Sequence, residues 1–464
     1  MVMGDMEMRT DLLVAGGGPA GYSCAIMAAS LGLDVTLVDT FSRPGGNYLH
    51  RHCIPAKILY RLVEGLEETR KLRQAGARGL EPGVDLDILA AYRKTVTDRL
   101  AERIEQQCRQ QSVLVLTGRV FFESKTSARI LDSDINRLRF GHAVIATGTR
   151  QKLLPPEFLA DNSGILDPAR ALDCGRIPEK LLIAGGGHTG LELGTIYAGL
   201  GSEVTVIEQQ YNLLPTLDRD MVAPLANSLK DQFAALILGG VIQEIDRTGT
   251  AFRVTWSSRD KTHVADYDCV INALGRQPNS DDLGLENCGV QVDEHGFIVT
   301  DQRQQTTSPT IFAAGDVTGG ELLAHKGMQQ AIVAAENICG RRSVFDAIAI
   351  PNTLHTLPQL SWCGLTQTMA LCNDIPCDIL KYPWDLADGP QVDGTRDGLT
   401  KLVVDPGSGR ILGGAITGAR AEFLINEIAL ATEMGALAED LALTLHPQTG
   451  IARTISEAAK LFDG

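Results

Sequence analysis

One glycine pattern occurs twice in this chain, each time between a short apolar run and a stretch that favours helix. At the first copy, Asp11 to Ala15 (DLLVA) reads as a buried parallel strand, Gly16-x-Gly18-x-x-Gly21 follows at once, and Tyr22 to Leu31 reads as a small-residue helix. Val35 to Val38 then reads as a second strand closed by Asp39. At the second copy, Lys180 to Ala184 (KLLIA) leads into Gly185-x-Gly187-x-x-Gly190, a helix from near Leu191, a strand over Val204 to Ile207, and Glu208. The glycine pattern alone is a weak signal. Set between a strand and a helix, and closed by an acid after the next strand, it specifies a dinucleotide site. The glycines permit a tight turn and a close approach of pyrophosphate, whose charge the helix N-terminus stabilises. Asp39 and Glu208 are placed to accept hydrogen bonds from a ribose. An acid suits the free 2′-hydroxyl of NAD and repels a 2′-phosphate, and Gln209, Gln210 and Tyr211 bring no arginine, so NADH is the expected donor. Two such units imply an α/β fold with two Rossmann-like domains and two bound dinucleotides. The chemistry that uses both is hydride transfer from a nicotinamide to a flavin.

The remaining features narrow the class. A length of 464 residues allows about three domains. A net charge of -15 argues against a nucleic-acid or anionic-membrane partner. The ten cysteines show no repeated disulfide spacing and no CxxC pair, which points to reduced thiols in the cytoplasm and to no metal site; Cys372 and Cys377 read as adventitious surface thiols. Leu12 to Leu33 carries no charge, yet its glycines suit a nucleotide loop better than a membrane span. Asp5 and Glu7 beside Arg9 do not form the basic leader of a secretory signal.

Further motifs follow in order: Ala146-Thr147-Gly148, Gly275-Arg276-Gln277-Pro278-Asn279, Ala314-Gly315-Asp316, Leu323-Ala324-His325-Lys326 and Gly409-Arg410-Ile411-Leu412-Gly413. With the two fingerprints, this order resembles the pyridine nucleotide–disulfide oxidoreductase family, in its dihydrolipoamide dehydrogenase branch. The resemblance implies an FAD domain in two parts (1–150 and 276–345), an inserted NAD domain (151–275) and a C-terminal α+β dimerisation domain (346–464) that makes a homodimer. It places FAD on Gly16, Gly18, Gly21, Asp39, Gly46, Lys57, Thr147, Gly148, Gly315, Asp316 and Ala324. It places NAD on Gly185, Gly187, Gly190, Glu192, Glu208 and Gly275. Lys57 and Glu192 match an ion pair that lies beside the flavin in the family.

Two departures from the family pattern concern its disulfide chemistry. The resemblance implies two cysteines in the segment Gly45 to Lys57; Cys53 matches the second, and Tyr48 stands where the first, the interchange thiol, is expected. A lone thiol cannot form the intramolecular disulfide that exchange requires. Cys53 is expected against the flavin, its thiolate favoured by a helix start and by Lys57, with a buried inert thiol as the alternative. Tyr48 is read as an aromatic plug. His50 and His52 flank Arg51, and His50 is a candidate proton donor or a solvated turn residue. At the C-terminus, different registers put Gln448 or Ala452 where the family's general-base histidine stands, and Arg453 where its glutamate stands; keeping His446-Pro447 as the motif's own pair leaves the wrong spacing to Glu457. The expected activity is therefore NADH oxidation through FAD to a quinone, an electron carrier or a second pyridine nucleotide. The alternatives are dihydrolipoamide dehydrogenase-like turnover, a single-cysteine NADH oxidase or peroxidase, and a non-catalytic subunit that binds FAD or a lipoyl-bearing protein.

Overall fold

The computed structural model describes residues 7–79, 83–155, 158 and 164–463. Asp5, read above as part of a non-secretory start, lies outside these described residues. The chain divides into two compact units, one of Met1–Pro55, Asp87–Lys152 and Arg276–Asp346, the other of Ala56–Leu86, Leu153–Gly275 and Ala347–Gly464.

In the first unit, strand Glu7–Ala15 enters the glycine turn, helix Pro19–Ser30 follows, and strand Val35–Asp39 pairs in parallel with the first. The helix starts before the expected Tyr22 because Pro19 occupies its first turn, where a missing N–H breaks no helical bond. The main sheet runs Leu114–Thr117, Val35–Asp39, Glu7–Ala15, Arg137–Ile145, Ser127–Leu131, Arg119–Ser124, with Ile311–Ala313 added on Arg137–Ile145. The unbroken apolar run at its centre follows from coverage on both faces. Leu12 and Val14 point into a core with Ala25, Ala28 and Ala331, while Leu13 and Ala15 point into another with Phe122, Ile130 and Ile311. Full burial of each such leucine contributes about 1.5–3 kcal/mol.

In the second unit, a parallel sheet runs Ala235–Leu238, Glu203–Glu208, Lys180–Ala184, Cys269–Asn272. Helix His188–Leu200 leaves its glycine turn. An antiparallel sheet of Val241–Thr248, Ala251–Ser258 and Lys261–Tyr267 buries Phe252, Val254 and Trp256 in a core that includes Leu182 and Val270. The C-terminal part is a five-stranded antiparallel sheet covered by helices Ala421–Met434, Ala438–Leu443 and Arg453–Ala459, around Trp384, Ile416, Ile425 and Ile455. Helix Ala421–Met434 buries Ile425 and Ile428 and exposes Phe423, Leu430 and Met434. Two Rossmann-type sheets with a C-terminal α+β part make up the expected fold class.

Lys401 is buried on strand Leu399–Val404 of this sheet. Its Nζ lies 2.8 Å from Asp218, 2.9 Å from Asp220 and 2.7 Å from the Gln367 side-chain Oε1. Burial opposes the charge on Asp218, but the Lys401 cation and the Thr368 donors outweigh it and hold the carboxyl below its usual range. Removing the cation leaves the buried Asp218 carboxylate without its ion-pair partner, while Asp220 keeps Lys381 at 2.6 Å. We expect Lys401→Ala to cost roughly 3–5 kcal/mol in denaturant unfolding; a loss below about 1 kcal/mol would mean that water reaches this cluster.

Candidate active site and nucleotide loops

The first glycine turn is shaped by close backbone approach. Gly16 has φ +104, and a Cβ on Gly21 would lie 1.7 Å from the Gly16 carbonyl oxygen, so neither position accepts a side chain. Gly18 caps helix Pro19–Ser30 without any side-chain hydrogen bond, which leaves the first-turn N–H groups open to an anion. Gly46 backs onto Gly18. Asp39 ends its strand with Oδ1 accepting from Thr40 N at 2.7 Å and with Oδ2 buried and lacking a partner. Burial raises its pKa despite the backbone donors around it. A buried acceptor without a donor beside an open helix N-terminus fits the ribose and pyrophosphate of a dinucleotide.

The other motifs of this unit interlock. Thr147 Oγ1 donates to Asn279 O at 2.7 Å, and Asn279 Nδ2 donates to Thr147 O at 2.8 Å, with Gly148 at φ +69 beside them. Asp316, next to Gly315 at φ +84, accepts from Thr149 Oγ1 at 3.1 Å; Ala324 begins helix Ala324–Ile338. Arg276, within the Gly275-Arg276-Gln277-Pro278-Asn279 motif, lies over this junction. Its Nε donates to Thr149 Oγ1 at 2.7 Å, its Nη2 donates to Thr149 O at 2.7 Å, and its Nη1 lies 3.4 Å from His52 Nε2. Burial lowers the Arg276 pKa, while Asp316 and the Cys53 thiol oppose that shift.

Cys53 is the first residue of helix Cys53–Gln74 and is exposed, so it is not a buried inert thiol. Tyr48 packs half-buried against the core, and burial, then the neighbouring Cys53, push its hydroxyl up. His50 stacks on Phe41 at 5.4 Å and faces the carbonyls of Arg43 and Pro44 at 3.3 and 3.2 Å, which suits a turn-holding residue better than a proton donor. Cys24 is fully buried and its thiol is pushed up to about 12 by burial and Cys339, so it takes no part in exchange.

In the second unit the glycine turn repeats, with Gly185 at φ +110 and a Cβ on Gly190 only 1.9 Å from the Gly185 oxygen. Gly187 caps helix His188–Leu200 without a side-chain bond. Glu208 is pinned at its strand end, accepting from Gly186 N at 2.6 Å and Gln210 N at 2.8 Å. Gly275, at φ +97, has open space where a side chain would be. The expected Lys57–Glu192 ion pair does not form. Lys57 pairs with Glu422 instead, and Glu192 is engaged by His355 Nδ1 at 3.0 Å and His188 Nε2 at 3.2 Å. The physical reason is the cation His355, which occupies the carboxylate that Lys57 would take and draws Glu422 toward both of them. Burial would raise the Glu192 pKa, but the two histidines hold it well below the usual carboxylate range. No sequence motif marked His355 or Glu422, which lie 163 and 365 residues from their partners Glu192 and Lys57.

The chain matches the pyridine nucleotide-disulphide oxidoreductase family model over residues 10–337 and that family's dimerisation domain over residues 350–459. This protein belongs to the pyridine nucleotide-disulphide oxidoreductase family. It is 35% identical over 461 residues to a dihydrolipoyl dehydrogenase of Vibrio parahaemolyticus, covering 99% of this chain and 96% of that one. It is 34% identical over 465 residues to a dihydrolipoyl dehydrogenase of Geobacillus stearothermophilus, covering 100% and 98%. Its fold is similar to that of LpdA from Mycobacterium tuberculosis, with TM-score 0.87 and 26% identity over 98% of this chain and 99% of that one. It is also similar to the Cu(II) complex of the HOCl-induced flavoprotein disulfide reductase RclA from Escherichia coli, with TM-score 0.86 and 25% identity over 98% and 99%. As a member of this family the protein is an oxidoreductase that uses FAD and NAD(H), and it carries a dimerisation domain. Among the described residues no helix is long and apolar enough to cross a membrane.

The family resemblance puts the general base near the C-terminus, and the residues there are committed elsewhere. His446 Nδ1 donates to Thr444 O at 2.9 Å and Nε2 faces Glu427 at 2.8 Å. Both ring nitrogens therefore already have contacts, with the Thr444 carbonyl and with Glu427. Glu457 pairs with Arg453 at 3.0 Å and Lys460 at 2.9 Å. A histidine–glutamate pair therefore exists, but with Glu427, which no register of the sequence motif reaches. For the first loop, Asp39→Ala is expected to weaken FAD binding to the apoprotein on the order of tenfold or more, since a hydrogen bond to a charged group is lost. Fluorescence titration measures this; an unchanged Kd would remove Asp39 from the FAD site.

Proposed function

We propose that this protein oxidises NADH and passes the electrons, by way of FAD, to an acceptor that is not a disulfide. A quinone, an electron carrier or a second pyridine nucleotide fits this reading. The observation that carries it is Tyr48: an aromatic side chain packed against the core beside Cys53, where disulfide exchange needs a second thiol. The commitment of both His446 nitrogens supports the same reading, because an enzyme without an interchange thiol has no thiol for a base to deprotonate.

When bound, FAD supplies the hydride acceptor for NADH and the electron donor to the final acceptor. The FAD set proposed is Gly16, Gly18, Gly21, Asp39, Gly46, Lys57, Thr147, Gly148, Gly315, Asp316 and Ala324, in FAD portions spanning 1–150 and 276–345. The NAD set proposed is Gly185, Gly187, Gly190, Glu192, Glu208 and Gly275, in a portion spanning 151–275. Glu208 accepts from the adenosine ribose, and Glu192 serves the nicotinamide end. Cys53 offers an exposed thiol at a helix start, where a thiolate is favoured. That exposure also supports a second reading, in which Cys53 cycles through a sulfenate in NADH oxidase or peroxidase chemistry. The apolar face of Phe423, Leu430 and Met434 supports a homodimer. Reduced cysteines support a cytoplasmic setting.

Steady-state assays separate these readings. With NADH as donor, a quinone or dye acceptor is expected to turn over at least about a hundredfold faster than lipoamide. Robust lipoamide reduction by the pure protein would overturn the reading. Peroxide-dependent NADH oxidation that disappears in Cys53→Ser would establish the sulfenate cycle in its place.

A further inference from the structure

Three helices and one loop converge on a single imidazole in the second unit. His355 Nδ1 lies 3.0 Å from Glu192 Oε1, and His355 Nε2 lies 3.0 Å from Glu422 Oε2. Each contact needs an N–H, so the ring is an imidazolium while both hold. The His355 backbone N–H adds a bond to Glu192 Oε1 at 2.8 Å. Helix His188–Leu200 contributes Glu192 and His188. Helix Cys53–Gln74 contributes Lys57 and Arg61, both on Glu422, with Tyr60, whose ring lies 5.4 Å from His355 and whose hydroxyl donates to Glu64. Helix Ala421–Met434 contributes Glu422, whose backbone N–H donates to Gln359 at 3.0 Å. The carboxylates are only 16% and 12% exposed, so water does little to screen them.

We propose that His355 is a positioning residue that sets the charge at the nicotinamide end of the NAD site, neutralising Glu192 while it holds Lys57 to Glu422 through the shared carboxylate. This rests on the reading of Glu192 as a nicotinamide-end residue. When His355 loses its proton it can donate to one carboxylate only. Glu192 then keeps His188 but has less positive charge beside it, and a less compensated carboxylate favours the positively charged ring of NAD+ over the neutral ring of NADH. The enzyme thus holds its preference between oxidised and reduced nucleotide through a residue outside both fingerprints.

The direction of the pH effect follows from the network. Burial alone would lower the His355 pKa, but Glu192 and Glu422 outweigh it and raise it. The bridge is therefore complete below about pH 6.5 and is lost as pH rises through the raised value. Glu422, held down to about 2, and Glu192, also depressed, stay ionised throughout this range.

The test uses the FAD-loaded protein labelled with ¹⁵N-histidine, titrated by NMR, with NAD+ and NADH affinities measured over the same pH series. The His355 ring is expected to stay doubly protonated well above pH 6.5, and the NAD+ to NADH affinity ratio to rise about three- to tenfold as it titrates. His355→Gln, which keeps one hydrogen bond and no charge, is expected to fold, as checked by circular dichroism, and to show the high ratio with no pH step. A ring that titrates near pH 6.5, a wild-type ratio independent of pH, or a His355→Gln variant that keeps the wild-type step would each overturn the proposal. If the ring titrates high but Glu192→Gln binds both nucleotides as wild type does, the placement of Glu192 at the nicotinamide has failed, and the proposal fails with it. The wild-type titrations decide the matter even if the variant does not fold.

Discussion

Each nucleotide loop of this protein depends on a backbone contact that no side chain survives. A carbonyl oxygen, of Gly16 in one unit and Gly185 in the other, presses on the α-carbon of a glycine in the first turn of the following helix, Gly21 or Gly190. That contact brings the helix N-terminus to the strand end and leaves its first N–H groups uncapped by side chains. The acids Asp39 and Glu208 close the neighbouring strands at the same level. Everything proposed for cofactor binding follows from this arrangement, because an uncapped helix start beside a carboxylate suits a pyrophosphate and a ribose together.

The rest of the site is a question of how charge is divided. A family ion pair between Lys57 and Glu192 was the expected arrangement; the structure instead links four ionised groups through His355. Each carboxylate keeps a cation, so none is left buried and uncompensated. At the C-terminus the same rule ties His446 to Glu427 and Glu457 to Arg453 and Lys460. The C-terminal histidine and glutamates are thus engaged in ion pairs with one another and with neighbouring cations, while the groups around the NAD loop form a network that a single proton can change.

The fold was legible in the sequence wherever the signal was local. Strand Lys180–Ala184 has the ends its sequence indicates, because a four-residue apolar run between a charged start and a glycine leaves no other choice. The first helix began earlier than its apolar residues suggested, since Pro19 is compatible with a first turn. Arg276, His355, Glu422 and Glu427 were not legible. Their roles come from contacts across long stretches of chain, and a lone arginine, histidine or glutamate carries no spacing that would announce such a contact. Tyr48 lay between these cases: its substitution for a thiol was visible through the family resemblance, but its packing against the core beside Cys53 was not.

Under the proposed function, electrons entering from NADH find no disulfide within the protein. Anaerobic titration of the FAD-loaded enzyme with NADH, followed by flavin absorbance, tests it by counting electrons. About one NADH per FAD is expected to bleach the flavin fully, because a single two-electron acceptor is present. If the first NADH leaves the flavin oxidised and a second is needed to bleach it, an internal disulfide exists, and the proposed non-disulfide electron path is overturned.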